Sequence, residues 1–149
     1  MKRDPLASLR VLQRARMEKT PLAVDKQRDL AIGYHSALEA IRTGKATEAD
    51  AHTLAMASNV TLMLCELGLG GDQIEAVKQA QGYIVVMMDR GSETGRYAFT
   101  GPGLQAVRSL LELHDAQLES PDCTEGMMVA AMREMLRRME AGAVLEAAR

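Results

Sequence analysis

The chain of 149 residues contains no tryptophan, one phenylalanine and three tyrosines. Surfaces that stack unpaired bases are built from aromatic side chains, so single-strand nucleic-acid recognition has little to work with here. The apolar positions go instead to alanine, leucine and methionine, the residues that enter helices at least cost. Cysteine is equally scarce. Cys65 and Cys123 make no disulfide framework, and Cys65 sits inside an apolar stretch, which favours reduced thiols. No run approaches the ~20 uninterrupted apolar residues of a membrane span. The first twenty residues carry lysine and arginine without the apolar block and cleavage pattern of a secretion signal. The expectation is a cytoplasmic protein that makes no membrane contact.

What is present points to helices. The length suits one domain, able to bury about two thirds of its unfolded surface. Residues 51–69, AHTLAMASNVTLMLCELGL, are apolar almost all round a helical wheel. Their larger polar side chains, His52, Asn59 and Glu66, recur every seven residues and form one narrow stripe. A helix without a wide polar side must be enclosed by neighbours. This stretch is therefore expected to be the central rod of an all-α bundle.

Punctuation along the chain divides it into five long helices and a shorter basic amphipathic one at the N-terminus. Each of Pro5, Pro21 and Pro121 follows an N-cap residue, and Pro102 follows Thr100 and Gly101. Proline is favoured in the first helical turn, where its missing N–H has no partner to lose, so all four are expected to start helices. The first helix covers residues 5–17, with Leu6, Leu9 and Leu12 on one side and Arg3, Arg10 and Arg14 on another. The second covers 21–43, with Leu30, Tyr34, Ala37, Leu38 and Ile41 inward. Thr47 and Asp50 open the central helix with a variant of the capping box, and Gly68, Gly70 and Gly71 close it. A fourth helix carries Ile74, Val77, Ile84 and Met88 to the core and stops at Gly91. The valines and isoleucine of 83–88 would suit a short strand, but upstream spacing and the lack of a partner strand favour helix. Residues 91–103, GSETGRYAFTGPG, form the one irregular stretch. Helices over 102–119 and 121–140 complete the bundle. Residues 1–20 are a basic arm, 21–142 the bundle and 143–149 a C-terminal tail.

Candidate chemistry is sparse. His35, His52 and His114 lie near carboxylates, but no Glu precedes a His by three, the spacing that di-metal carboxylate bundles use. Pairs such as His35 with Glu39 and Glu48 with His52 more simply support their own helices. A metal site on these three histidines is the alternative. Cys123 is expected in the first turn of the last helix, where the dipole lowers a thiol pKa, yet no base accompanies it. The glycine-rich loop lacks the Gly-Lys-Ser/Thr ending of a phosphate cradle and follows a helix rather than a strand. No catalytic constellation and no cofactor are expected.

Binding is better represented. Arg96, Tyr97 and Phe99 fall in the irregular loop, and arginine and aromatics anchor interfaces. Met128, Met132, Met135 and Met139 recur at helical spacing in the last helix. A methionine stripe is core by default, and otherwise an adaptable partner groove or dimer seam. The net charge of −2 conceals an asymmetry. Residues 1–20 hold Lys2, Arg3, Arg10, Arg14, Arg16 and Lys19 against Asp4 and Glu18, leaving about −6 on the remainder. Aligned arginines can touch phosphates in a salt-dependent way. An acidic body and the absence of a short recognition helix argue against nucleic acid as the main partner.

The segments Tyr34-His35-Ser36-Ala37-Leu38-Glu39-Ala40, His52-Thr53-Leu54-Ala55, Thr94-Gly95-Arg96-Tyr97 through Gly101-Pro102-Gly103, and Leu113-His114-Asp115-Ala116-Gln117-Leu118 carry a resemblance. Over about residues 30–120 the chain resembles a group of small uncharacterised helical proteins of proteobacterial phages, prophages and genomic islands. The resemblance implies a context, accessory proteins acting on other macromolecules such as host defence systems, and transfers no catalytic residue. The expectation is a non-enzymatic protein that binds another protein, with a second copy of itself as one candidate. A nucleic-acid-binding regulator using the arm is the first alternative, and an enzyme or metal-binding bundle using the histidines the second.

Overall fold

In a computed structural model the chain is an all-α bundle, described for residues 19–141. Residues 1–18, with the expected first helix and Lys2, Arg3, Arg10, Arg14 and Arg16 of the basic arm, and residues 142–149, with the C-terminal tail, lie outside the described residues. Among the described residues five α-helices follow one another: α1 Val24–Arg42, α2 Glu48–Glu66, α3 Ile74–Thr94, α4 Gly101–Glu119 and α5 Glu125–Glu140. A single 3-10 turn, Gly71–Gln73, leads into α3. Among the described residues there is no strand beyond one isolated bridge between Pro21 and Thr124.

α2 is the hub. It packs against α1, α3, α4 and α5, whereas α5 meets α2 alone among the described helices at close backbone range. Its alanines let the neighbouring backbones approach, and Ala51, Leu54, Ala55 and every residue from Ala57 to Cys65 are buried. Enclosure forces α2 to satisfy its polar groups internally. Ser58 Oγ donates to the Ala55 carbonyl and Thr61 Oγ1 to the Ala57 carbonyl, both at 2.7 Å. Asn59 Oδ1 accepts from Gln81 Nε2 of α3 at 3.1 Å. The Asp50 carboxylate accepts from the Thr47 backbone N–H at 2.8 Å and holds the first turn as the capping pattern predicts.

The helix ends differ from expectation in instructive places. Pro102 does lie in the first turn of α4, where Thr100 Oγ1 accepts from the Gly103 N–H. Pro21 and Pro121 do not start helices. Pro21 stands in an extended segment whose neighbour Leu22 donates its N–H to the Cys123 carbonyl at 3.2 Å, while the Glu125 N–H donates to the Thr20 carbonyl at 2.9 Å. Those cross-chain bonds keep residues 20–22 extended. Pro121 falls in a turn, and the cap of α5 passes to Thr124, whose Oγ1 accepts from the Met127 N–H at 3.1 Å.

Nor does Gly91 end α3. The helix continues one turn to Thr94 and stops at Gly95, which takes the left-handed conformation at φ 74°. Gly91 is buried instead, because the Tyr97 ring lies against it. A Cβ added there would fall 2.0 Å from Tyr97 Cδ1. The glycine serves close packing, not termination.

Candidate functional site

α1 and α5 both lean on α2 without meeting each other, and the space between them is a cleft of about 430 Å³. Its walls are Leu30 and Gly33 of α1 and Met128 and Met132 of α5. Met56, Ala57 and Val60 of α2 lie between, and His52, Thr53 and Asp29 contribute the polar groups together with Tyr34 and His114. The central helix is thus sealed along most of its length but open beside His52 and Met56, which are only half-buried. Leu30, expected in the core, is 38 % exposed and lines this cleft.

His114 of α4 is 3 % exposed, and a network fixes its chemistry. Gln117 Nε2 donates to the Leu69 carbonyl at 2.8 Å and the Thr61 carbonyl at 3.1 Å, with Cys65 Sγ at 3.3 Å. Both amide hydrogens are thereby committed, so Gln117 presents its oxygen to His114 Nδ1, 3.0 Å away. Nδ1 must carry the proton. Burial holds the His114 pKa below the ordinary histidine value, which keeps the ring neutral and leaves Nε2 as a bare acceptor.

A second cluster joins α1 to α4 on the far side of Tyr34. The Tyr34 hydroxyl donates to Asp115 Oδ1, and His35 Nε2 lies 2.8 Å from Asp115 Oδ2. The Tyr34 ring is tilted against those of His35 and His114, with centroids at 4.8 and 5.2 Å. Burial, then the Asp115 carboxylate, raises the tyrosine pKa, so Tyr34 stays a donor and the cluster reads as a clasp between helices. Sequence spacing does not reveal it, since 81 residues separate Tyr34 from Asp115.

The three histidines are not brought together around an ion. His35 joins the clasp, His52 sits at the cleft with Nε2 3.7 Å from Glu48 Oε1, and His114 is bonded to Gln117. Among the described residues no group of three His, Cys, Asp or Glu side chains could hold a metal. Cys123 precedes the cap of α5 rather than entering its first turn. It is fully buried, and burial pushes its thiol pKa up, the reverse of the expected lowering. Burial likewise raises Cys65.

The residues expected to meet a partner divide between core and surface. Met135 is fully buried and Met128 nearly so; Met139 is half-buried against the core, and Met132 is 40 % exposed. Leu136, one turn beyond Met132, is 53 % exposed. In the 95–100 connection Tyr97 and Phe99 pack against the core while Arg96 is exposed. Phe99 also lines a small hollow of about 200 Å³ with Ile41, Arg42 and Arg96. On the other side of α5, Arg138 bridges Glu134 and Glu66 and ties its end to α2. No helix among the described residues is long and apolar enough to cross a membrane.

Comparison with known proteins returns no matching family model, no similar curated protein and no similar solved structure.

Proposed function

We propose that the protein acts by binding another protein, as a non-enzymatic accessory factor of a mobile genetic element, and that α5 supplies the docking face. One observation carries this reading. Met132 and Leu136 stand one turn apart on α5, exposed by 40 % and 53 %, with Met132 at the edge of the cleft, on a helix that packs on α2. Apolar side chains spaced i and i+4 on a rigid helix match the anchors of helix-mediated recognition, and methionine adapts to a partner's contour. Arg96 offers a further contact from the 95–100 connection, where the backbone is held by the Arg96 N–H bond to Thr94 Oγ1 at 3.2 Å. The resemblance of residues 30–120 to mobile-element proteins supplies the context, in which a host regulatory or defence protein is the partner.

The test uses the full chain as bait in affinity capture from the source cell, beside Leu136→Asp and Arg96→Ala, with light scattering on each pure protein. The expected result is a discrete partner that Leu136→Asp loses, with circular dichroism and melting temperature unchanged. A concentration-dependent dimer abolished by the same variant would make the partner a second copy. An identical catch and an unchanged mass in both variants would remove α5 from the reading.

A further inference from the structure

At the floor of the cleft one polar atom has no hydrogen-bond partner among the described residues. His114 Nδ1 is committed to Gln117, and among the described residues Nε2 meets no hydrogen-bond partner. Among the described residues no buried side-chain nitrogen or oxygen lacks a partner, so Nε2 keeps some access to open space, and the cleft is the space that His114 lines. An acceptor at the base of a largely apolar recess is a specific chemical request. A carboxylate or phosphate would set lone pair against lone pair. An ammonium would have to shed its water among Leu30, Val60, Met128 and Met132 to reach the nitrogen, because the lining carboxylate, Asp29, is itself exposed to solvent. A neutral N–H or O–H satisfies the nitrogen without either cost.

We propose that the cleft between α1 and α5 is a binding site for a small, uncharged, mainly apolar molecule bearing one hydrogen-bond donor, which it gives to His114 Nε2. The volume of about 430 Å³ falls in the range of small-molecule sites, and the lining has their usual make-up of many apolar walls and a few convergent polar groups. Met56, Met128 and Met132 supply flexible walls that close on rings of different outline. Gln117 acts as the positioning residue: its two bonds to backbone carbonyls hold the tautomer that turns the acceptor, not the donor, toward the ligand.

A matched pair of probes isolates the hydrogen bond. 2-Naphthol has the donor, and 2-methoxynaphthalene has the same ring system without it. Titration of the full chain, followed by calorimetry and by the imidazole nitrogen resonances, should show saturable 2-naphthol binding with 2-methoxynaphthalene weaker by about tenfold or more, the consequence of leaving a buried acceptor unmet. The His114 Nε2 resonance should move toward the hydrogen-bonded range with 2-naphthol only. Gly33 provides a blocking variant that spares the fold, because a Cβ there meets no atom within 4 Å. Gly33→Phe fills the cleft from α1 and should abolish binding of both probes while the protein stays folded. Equal binding of the two probes, binding that survives Gly33→Phe, no saturable binding of 2-naphthol, or a proton found on Nε2 in the free protein would each overturn the proposal.

Discussion

The two sides of α2 obey different rules. Toward α3 and α4 it is buried without interruption, with Leu54, Leu64 and Cys65 at 1 % exposure or less and its polar groups each assigned to a partner. Between α1 and α5 the same helix looks onto a cleft whose two walls pack on it without close backbone approach to each other. The sealed side derives its stability from packing density, where each methylene has neighbours on every side. The open side retains volume and half-exposed methionines, so changes there should affect binding before they affect folding.

That contrast is most exposed by deletions of side-chain volume. Leu64→Ala should lower unfolding free energy by about 2–5 kcal/mol, whereas Met56→Ala beside the cleft should cost no more than about 1 kcal/mol. Urea unfolding of both variants measures the difference, and equal costs would mean the two sides are not distinct. Gln117→Leu should follow at about 1–3 kcal/mol, because the carbonyls of Thr61 and Leu69 lose their shared donor and the His114 tautomer loses its lock. The same nitrogen spectra used for ligand binding report the second effect.

The glycines sharpen the comparison with a change of sign. Gly91→Ala should destabilise by about 1–3 kcal/mol, since the Tyr97 ring must leave the helix surface it covers. Gly33→Ala, an identical substitution facing the cleft, should stabilise by roughly 0.5–1 kcal/mol through reduced chain entropy, with no atom to displace. Thermal melts of the pair test this, and a Gly33→Ala as harmful as Gly91→Ala would show the cleft to be closed in solution.

The smallest expected effect concerns the ion pairs of α5. The Arg137 guanidinium, then that of Arg138, holds the Glu134 carboxyl at about 2. A carboxylate held below its unfolded value stabilises the fold fully above that value and loses the contribution as pH falls through the folded one. The stability difference between the protein and Glu134→Gln should therefore be constant near neutrality and shrink on acidification between 4.5 and about 2. Because these groups are exposed, added salt should reduce it as well. A difference that grows on acidification would contradict the ion-pair assignment.

Much of the architecture was legible in the residues themselves. Enclosure of the central helix followed from the absence of a polar face, and the inward set of Tyr34, Ala37, Leu38 and Ile41 from helical spacing. The preference for helix over strand at 83–88 likewise agrees with α3. Local signals failed where a distant segment supplied the deciding partner. Proline at 21 and 121 is sterically suited to start a helix, but backbone bonds between residues 20–22 and 123–125 claimed those positions. Gly91 suggested a helix stop until Tyr97 was placed against it. For the candidate site, His52 and His114 were visible as chemistry-bearing residues, while the cleft that joins them to Gly33 and Met132 was not. Periodicity says which face of a helix is apolar, and it does not say whether a neighbouring helix will cover that face.

The order of residues alone determined that this chain folds as helices around one apolar rod, because spacing and capping act within a few turns of backbone. Only the tertiary structure decided that α1 and α5 stop short of each other, that Asp115 and Gln117 fix the hydrogen bonding of Tyr34 and His114, and that Leu136 is left facing water. Those outcomes depend on crossing angles and on contacts between residues far apart in the chain, which no local pattern encodes.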